Sequence, residues 1–196
     1  MLSDDGSPLT SELARKLTSQ GWLVVVISFL QSPNSESLPP EVNRVVIEDF
    51  NEAQLQRQLE TITSKYGSIA AMIHLHPSLP NTDREHDMLK QLFLMAKHLK
   101  KSLNEAAKKG NSCFMTVASG NGKLGSQAGF SAVTGGLFGL TKALRWEWQS
   151  VFCRAIDLST DLDTATSVRH IIAELHDPNR LITEVGYSSE GRSTLV

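Results

Sequence analysis

The sequence has little of what marks a secreted, membrane-spanning or nucleic-acid-binding protein. Its 196 residues contain two cysteines without the CxxC spacing of a metal or redox site, so we expect Cys113 and Cys153 to be reduced thiols in buried strands. The formal net charge of −2 excludes the basic footprint that nucleic acid requires. No apolar run reaches the roughly 18 residues of a membrane span, and we expect no signal peptide. These absences predict a cytoplasmic protein.

What the sequence does contain is an alternation of apolar and amphipathic stretches. With 40% hydrophobic and 20% charged residues, the chain fits one globular domain over residues 1–196. The predicted strands are a short one before Asp4 and residues 22–27, 42–47, 69–75, 112–118, 151–157 and 180–187. The predicted helices are residues 8–20, 52–66, 83–109, 130–148 and 164–175, and residues 31–40 form a polar, proline-rich loop. This order predicts an α/β fold with a doubly wound, mostly parallel sheet of about seven strands.

The helix over residues 130–148 carries two stripes. One is apolar and consists of Val133, Leu137, Leu140, Leu144 and Trp148. The other is small and consists of Ala132, Gly136, Gly139 and Ala143. With Gly135 the helix interior holds three glycines, and each costs roughly 0.8–1 kcal/mol relative to alanine. We therefore expect a second helix or other backbone to lie very close to the small stripe.

The same stretch, FSAVTGGLFGLTKALRWEW, resembles the active-site helix of the short-chain dehydrogenase/reductase family, whose usual form is YSASKAALxGLTKALALE. The resemblance places Phe130 where the family has its catalytic tyrosine and Thr134 where it has its lysine. In the family the tyrosine hydroxyl exchanges a proton with the substrate oxygen, and the ammonium group lowers its pKa. Phe130 has no proton to give, and Thr134 has no charge. We therefore predict no catalytic residue in this chain.

The first strand-to-helix turn also departs from a cofactor site. A dinucleotide-binding turn is rich in glycine and presents backbone amides to the pyrophosphate at the positive end of the helix. Here the turn is Asp4-Asp5-Gly6-Ser7, with one glycine and two carboxylates. Carboxylates stabilise a helix start and repel phosphate. The sequence thus predicts a degenerate Rossmann-like fold without a cofactor-binding residue, in which Asp4 and Asp5 are turn and cap residues.

Three other residues have side chains that could carry chemistry. His74 and His76 could ligate a metal from one strand, but no third ligand is evident, so we expect structural histidines and no metal. By the resemblance, Ser119 stands where the family keeps a substrate-contacting serine. It has no neighbour in the sequence that would activate it.

Three longer stretches narrow the resemblance, namely DDGSPLTSELARKLTSQGWLVVV, GGLFGLTKALRWEWQSVFCRAIDL and LITEVGYSSEGRSTLV. They resemble the structural half of a modular ketoreductase in polyketide synthases and, more closely, in bacterial omega-3 polyunsaturated fatty acid synthases. The resemblance implies a cofactor-free fragment of a larger multienzyme. Its partner would be the catalytic half of the same polypeptide, which binds NADPH and reduces a 3-ketoacyl group on an acyl carrier protein. In isolation, the chain is expected to form a homodimer or to aggregate.

Two alternatives remain open. One is a divergent NADPH-dependent 3-ketoacyl reductase that uses Ser119, His74 or His76, against which the Asp4-Asp5 turn argues. The other is a docking module for an acidic acyl carrier protein, which would use the lysines of the long helix, Lys97, Lys100, Lys101, Lys108 and Lys109. We interpret these lysines as a solvated face. Charge reversal at Lys100, Lys101 and Lys108 would abolish carrier binding if the docking hypothesis were right.

Overall fold

The computed structural model describes residues 1–29, 37–47, 51–77, 82–126 and 131–195. In these ranges the strands are β1 Leu2–Ser3, β2 Val25–Phe29, β3 Asn43–Ile47, β4 Ala71–His76, β5 Cys113–Gly120, β6 Phe152–Ser159, β7 Glu184–Ser188 and β8 Gly191–Thr194. The helices are α1 Pro8–Ser19, α2 Glu52–Tyr66, α3 Thr82–Ala107, α4 Ala132–Glu147 and α5 Thr164–Leu175. None of the helices in the described ranges is both long enough and apolar enough to cross a bilayer.

The eight strands of the described ranges belong to one sheet, with the order β3-β2-β1-β4-β5-β6-β7-β8. Every neighbouring pair is parallel except β7 and β8. The predicted α/β class and doubly wound parallel sheet are therefore confirmed. The chain reverses its direction of winding between β1 and β4, and folds of this type form a crevice at that point, beyond the carboxyl ends of the strands.

The predicted number of strands was too low by one, because the sheet has eight strands. The missed strand, β8, has the sequence GRST, which lacks the apolar alternation by which a strand is recognised. Tertiary ion pairs hold it instead. Arg192 donates from Nε to Glu174 Oε1 at 2.7 Å, and Tyr187 Oη donates to the same oxygen at 2.5 Å. Arg154, fully buried in β6, pairs with the other oxygen of Glu174.

Helices cover both faces of the sheet, which gives the molecule two cores. Side chains of α1 and α5 pack on one face, and side chains of α2, α3 and α4 pack on the other. Capping residues explain where helices begin. Ser7 accepts from Leu9 N at 3.1 Å with Pro8 in the first helical position, as predicted. Asn51 accepts from Ala53 N at 2.9 Å, and α2 has its predicted bounds.

Helix α4 begins at Ala132, two residues later than expected, because Ser131 is its N-cap and accepts from Val133 N at 3.2 Å. Phe130 lies outside the described residues. The apolar stripe is confirmed as the inner face, since its members are buried except for Leu140, which is half-buried. Trp148, just after the helix, packs edge-on against Phe114 with ring centres 5.6 Å apart.

The small stripe of α4 faces outward, and only part of the expectation for it holds. A methyl group on Gly136 would meet Leu89 Cδ2 of α3 at 3.0 Å, so the predicted close neighbour exists there. At Gly139 nothing lies within 4 Å of such a methyl group, and Ala132 and Ala143 are exposed. Among the described residues, nothing covers this part of the helix.

Gly122 provides a test of the packing between the β5–α4 loop and β7. Its φ is +68°, and a Cβ there would lie well inside contact distance of the Tyr187 carbonyl. We predict that Gly122→Ala lowers the free energy of unfolding by on the order of 3 kcal/mol, measured by urea denaturation. The control is Gly110→Ala, because a Cβ at Gly110 meets nothing within 4 Å. Equal stability of the two variants would contradict this packing.

Candidate functional site

The β1–α1 turn satisfies its own backbone donors with side chains. Gly6 N donates to Asp4 Oδ1 at 2.9 Å, and Ser7 N donates to Asp5 Oδ1 at 3.0 Å. Leu9 N donates to Ser7 Oγ at 3.1 Å. These amides are the groups that a pyrophosphate would need at a helix N-terminus. The prediction that Asp4 and Asp5 are turn residues is confirmed, while the N-cap of α1 is Ser7.

Asp4 also fixes the centre of the sheet. Its side chain is 1% exposed, and its Oδ2 accepts from Ser28 Oγ of β2 at 2.9 Å. Arg44 of β3 places Nη2 3.5 Å from the same oxygen. The carboxylate is therefore attached to the turn by one oxygen and to two neighbouring strands by the other. Its replacement by a phosphate group of a ligand would require all these contacts to be broken.

A cleft of about 350 Å³ lies beside this turn, at the carboxyl ends of β4, β5 and β6. Its wall includes Asp5, His76 and Ser119, so three of the residues singled out from the sequence line the same cavity. The remaining polar wall consists mainly of hydroxyl groups, those of Ser7, Ser159, Thr160, Thr164 and Ser167. The cleft thus offers neutral hydrogen-bonding groups and a carboxylate, and none of its lining residues is a lysine or an arginine.

His74 and His76 point to the same face of β4 and form a chain with Ser3. Ser3 Oγ lies 2.8 Å from His74 Nδ1, and His74 Nε2 lies 3.5 Å from His76 Nδ1. Burial lowers the pKa of His76 to about 4, and burial together with His76 lowers the pKa of His74 well below its usual value. Both rings are therefore neutral at pH 7. The other nitrogen of His76, Nε2, is buried and has no hydrogen-bond partner among the described residues.

Among the described residues, no further metal ligand is grouped with the two histidines. In the described part of the chain, no three His, Cys, Asp or Glu side chains are grouped so that they could hold a metal ion. Cys113 and Cys153 are buried free thiols, as expected, and burial raises the pKa of each to about 12. Neither thiol is therefore ionised at neutral pH, which is the form that a metal ligand or a nucleophile requires.

Of the two positions that the resemblance matches to the family's catalytic tyrosine and lysine, the structure describes only the second, Thr134. Thr134 is 8% exposed, on the inner side of α4, and it brings no charge to that helix. Phe130 is outside the described residues. The five lysines are exposed as predicted, but Lys108 and Lys109 follow the end of α3 and two of the others are in ion pairs. Lys97 lies 2.8 Å from Glu52 Oε1, and Lys100 lies 3.6 Å from Glu147 Oε2.

Sequence reasoning missed Asp157, which is fully buried in β6. Its Oδ2 accepts from Leu124 N at 2.9 Å, while Oδ1 has no partner in the described ranges. Gly120 leaves room for this carboxylate, since a Cβ there would collide with Oδ1. Asp157 therefore holds the loop that follows Ser119, in which Leu124 has a φ of +55°. In the sequence, Asp157 is recognisable only as an aspartate at the end of the apolar stretch VFCRAID, which does not indicate its contact with the loop.

Comparison with solved structures shows that this chain shares its fold with reductases. No protein-family model matches the chain, and no curated protein matches it. The chain superposes on 3-ketoacyl-(acyl-carrier-protein) reductase from Brucella melitensis complexed with NADH, with a TM-score of 0.71, 16% identity, and 93% of this chain and 92% of that chain covered. It also superposes on an apo SCOR enzyme from Clostridium thermocellum, with a TM-score of 0.67 and 12% identity, covering 93% of this chain and 87% of that chain. A short chain dehydrogenase from Mycobacterium smegmatis superposes with a TM-score of 0.62 and 13% identity, covering 93% of this chain and 88% of that chain. At these identities the likeness establishes a fold shared with short-chain dehydrogenases and ketoacyl reductases.

The buried histidine chain predicts loss of stability in mild acid. Because the folded pKa values of His74 and His76 lie below the ordinary value of 6.5, the unfolded chain takes up the protons that the folded chain excludes. The free energy of unfolding should be unaffected by them above pH 6.5 and fall between pH 6.5 and 4 by up to about 1.4 kcal/mol per pH unit for each ring. Urea denaturation across this range measures the effect. NMR signals of the two rings that titrate near pH 6.5 would contradict it.

Proposed function

We propose that this chain is the non-catalytic, structural half of a β-ketoacyl reductase in a polyunsaturated fatty acid or polyketide synthase. In this role it pairs with the NADPH-dependent catalytic half of the parent polypeptide and stabilises it. It binds no cofactor itself and contributes no catalytic residue. The fold shared with ketoacyl reductases supports a relation to that kind of reductase. The side chains of the β1–α1 turn support the absence of a bound cofactor.

The observation that carries the proposal is the closed β1–α1 turn. The Brucella melitensis reductase of the same fold was obtained with NADH bound. In this chain the amides of Gly6, Ser7 and Leu9 are already bonded to side-chain oxygens of the turn itself. A phosphate would have to displace two carboxylates and then remain beside them, which is electrostatically unfavourable.

The pairing surface is the outer side of α3 and α4, which we call the α3–α4 face. The helices run side by side in the same direction, since Leu89 contacts Gly136 near their starts and Lys100 pairs with Glu147 near their ends. Between these contacts Phe93 is 56% exposed. On α4 the outer side consists of the half-buried Gly139 and of exposed residues, of which Trp146 is 83% exposed. Other exposed residues on this side are Ala132, Gly135, Lys142 and Ala143.

This surface has the composition of an interface. Small residues allow another helix to approach closely, and exposed aromatic side chains are enriched among the residues that dominate binding energy. The charges at its border are already paired within the chain, Lys142 with Glu184 at 3.0 Å and Lys100 with Glu147 at 3.6 Å. A partner can therefore cover the apolar centre without burying an unpaired charge. The glycines of α4 are unfavourable in an isolated helix. A partner helix that approaches closely would explain why they are there.

A divergent reductase is the second candidate, because His76 and Ser119 line one cleft at the switch point of the sheet. It would need His76 to exchange a proton with a substrate. The pKa of His76, about 4, makes it a weak base at neutral pH. An activity assay distinguishes this candidate from the structural role, because a reductase would oxidise NADPH with a 3-ketoacyl substrate in the absence of the catalytic half.

We predict that the chain alone has no reductase activity and that it raises the activity and thermal stability of the separately purified catalytic half. Trp146→Asp should weaken their affinity by about tenfold or more, because it replaces the most exposed aromatic side chain of the α3–α4 face with a charge. The matched control is Leu181→Asp, which alters a residue that is equally exposed, at 84%, but lies outside that face. Calorimetric titration of one half with the other measures both affinities.

Absence of any interaction between the two halves would contradict the proposal, as would equal losses in Trp146→Asp and Leu181→Asp. Reductase activity in the chain alone would favour the second candidate. Neither variant should change the fold, because both side chains are exposed in the isolated chain.

Gly139→Ala should have opposite effects on the stability of the isolated chain and on its affinity for the catalytic half. Because a Cβ at Gly139 meets nothing within 4 Å, alanine should raise the free energy of unfolding of the isolated chain by roughly 0.8–1 kcal/mol. The same methyl group lies on the α3–α4 face and should lower affinity for the catalytic half. Urea denaturation and calorimetric titration give the two quantities. A variant that gains stability and keeps full affinity would show that the partner does not approach α4 at Gly139.

A further inference from the structure

A second cavity opens at the opposite edge of the sheet from the cleft. It has a volume of about 380 Å³ and lies where β4, β5 and β6 begin and α5 ends. Its apolar wall includes Trp22, Cys113, Phe152 and Leu175. We call it the amino-edge pocket. It contains no residue of α3 or α4, so nothing about it depends on the proposed pairing.

One buried group in this pocket lacks a hydrogen bond. Ser112 lines the pocket and is 2% exposed, and its Oγ has no partner among the described residues. Buried hydroxyl groups are almost always hydrogen-bonded, because leaving one unpaired loses its interaction with water. The carbonyl of Ser112 is used in the sheet, since it accepts from Phe152 N at 2.9 Å. The free hydroxyl therefore has a donor to offer to a molecule in the pocket.

The second group is Arg180, whose positive charge is not matched by a carboxylate in the described part of the chain. Its Nη2 donates to the neutral amide oxygen of Asn111 at 3.0 Å, and its guanidinium carbon lies 5.7 Å from the centre of the Phe152 ring. The guanidinium group is thus held at the pocket by a hydrogen bond and by an aromatic ring. Its other N–H groups remain available.

The one carboxylate in the pocket wall, that of Asp177, is already neutralised. Its Oδ2 lies 3.1 Å from Arg154 Nη1 and 3.1 Å from Arg192 Nη2, and its Oδ1 accepts from Asn179 N at 2.9 Å. Its pKa is lowered by the hydrogen bond from Asn179 and by the two arginines, which outweigh the opposing effect of burial, so it stays ionised as their partner. The charge left without a partner in the wall is that of Arg180.

We propose that the amino-edge pocket binds a small carboxylate with an apolar body. The carboxylate group accepts hydrogen bonds from Arg180 and from Ser112 Oγ, and the apolar body lies along Trp22, Phe152 and Leu175. A guanidinium group is suited to a carboxylate because it can donate two parallel hydrogen bonds. The pocket volume is within the range of small-molecule sites, which combine apolar walls with a few polar groups.

Benzoate is the probe for this site, and benzamide, which has the same shape without the charge, is its control. Titration of benzoate into the whole ¹⁵N-labelled chain at constant ionic strength should produce saturable NMR shifts of the Ser112 and Cys113 amides and of the Trp22 indole N–H. Benzamide should bind at least tenfold more weakly. Shifts that do not saturate at millimolar benzoate, or that occur elsewhere, would overturn the proposal.

Substitutions assign the binding to the named groups. Ser112→Ala removes a hydroxyl that has no partner, and Arg180→Gln changes an exposed side chain, so both variants should remain folded. Each should weaken benzoate binding about tenfold. The control is Arg169→Gln, which changes an arginine of α5 outside the pocket and should leave binding unchanged. Benzoate affinity that survives both Ser112→Ala and Arg180→Gln would exclude the site.

Discussion

The two carboxylates that follow β1 hold together the first turn of the fold and the centre of its sheet. β1 has only two residues, yet it lies in the middle of the sheet between β2 and β4. Asp4 links its end to Ser28 of β2 and to the turn, while Asp5 accepts from Ser7 N at 3.0 Å and from Thr10 Oγ1 at 2.7 Å. In a nucleotide-binding fold the ligand's phosphates satisfy amides at this place. Here the protein supplies the negative charge itself, and the turn is complete without a ligand.

The remaining surface has three regions that differ in exposed and unsatisfied groups. The carboxyl edge keeps a cleft lined by hydroxyl groups, beside the closed turn. The outer side of α3 and α4 is small and apolar, with Phe93 and Trp146 exposed, and it supports the proposed pairing with a catalytic half. The amino edge holds the pocket in which Arg180 and Ser112 lack a full set of partners. At the far side of the sheet, the buried cluster around Arg154 and Glu174 fastens the β7–β8 hairpin to α5.

Local sequence predicted most of the fold, and tertiary contacts account for the differences. Helices α2 and α5 have the predicted bounds because Asn51 and Asp163 cap them. Strand β2 begins later than predicted, since Trp22 N donates to Leu17 O at 3.1 Å and so belongs to the end of α1. Strand β8 depends on Arg192 and a distant glutamate, which no local pattern reveals. For the site, the sequence indicated the carboxylates of the turn, but the pairing of each with an amide, and the buried Asp157, required the fold.

Equilibrium titration of NADPH into the purified chain, followed by calorimetry and by NMR of the turn, tests the central claim most directly. With the amides of Gly6 and Ser7 bonded to Asp4 and Asp5, we expect no saturable heat up to millimolar NADPH and no shift of those two amide signals. Micromolar binding accompanied by shifts of the Gly6 and Ser7 amides would contradict the claim. It would mean that the carboxylates yield to phosphate and that the cleft with His76 and Ser119 is a cofactor site.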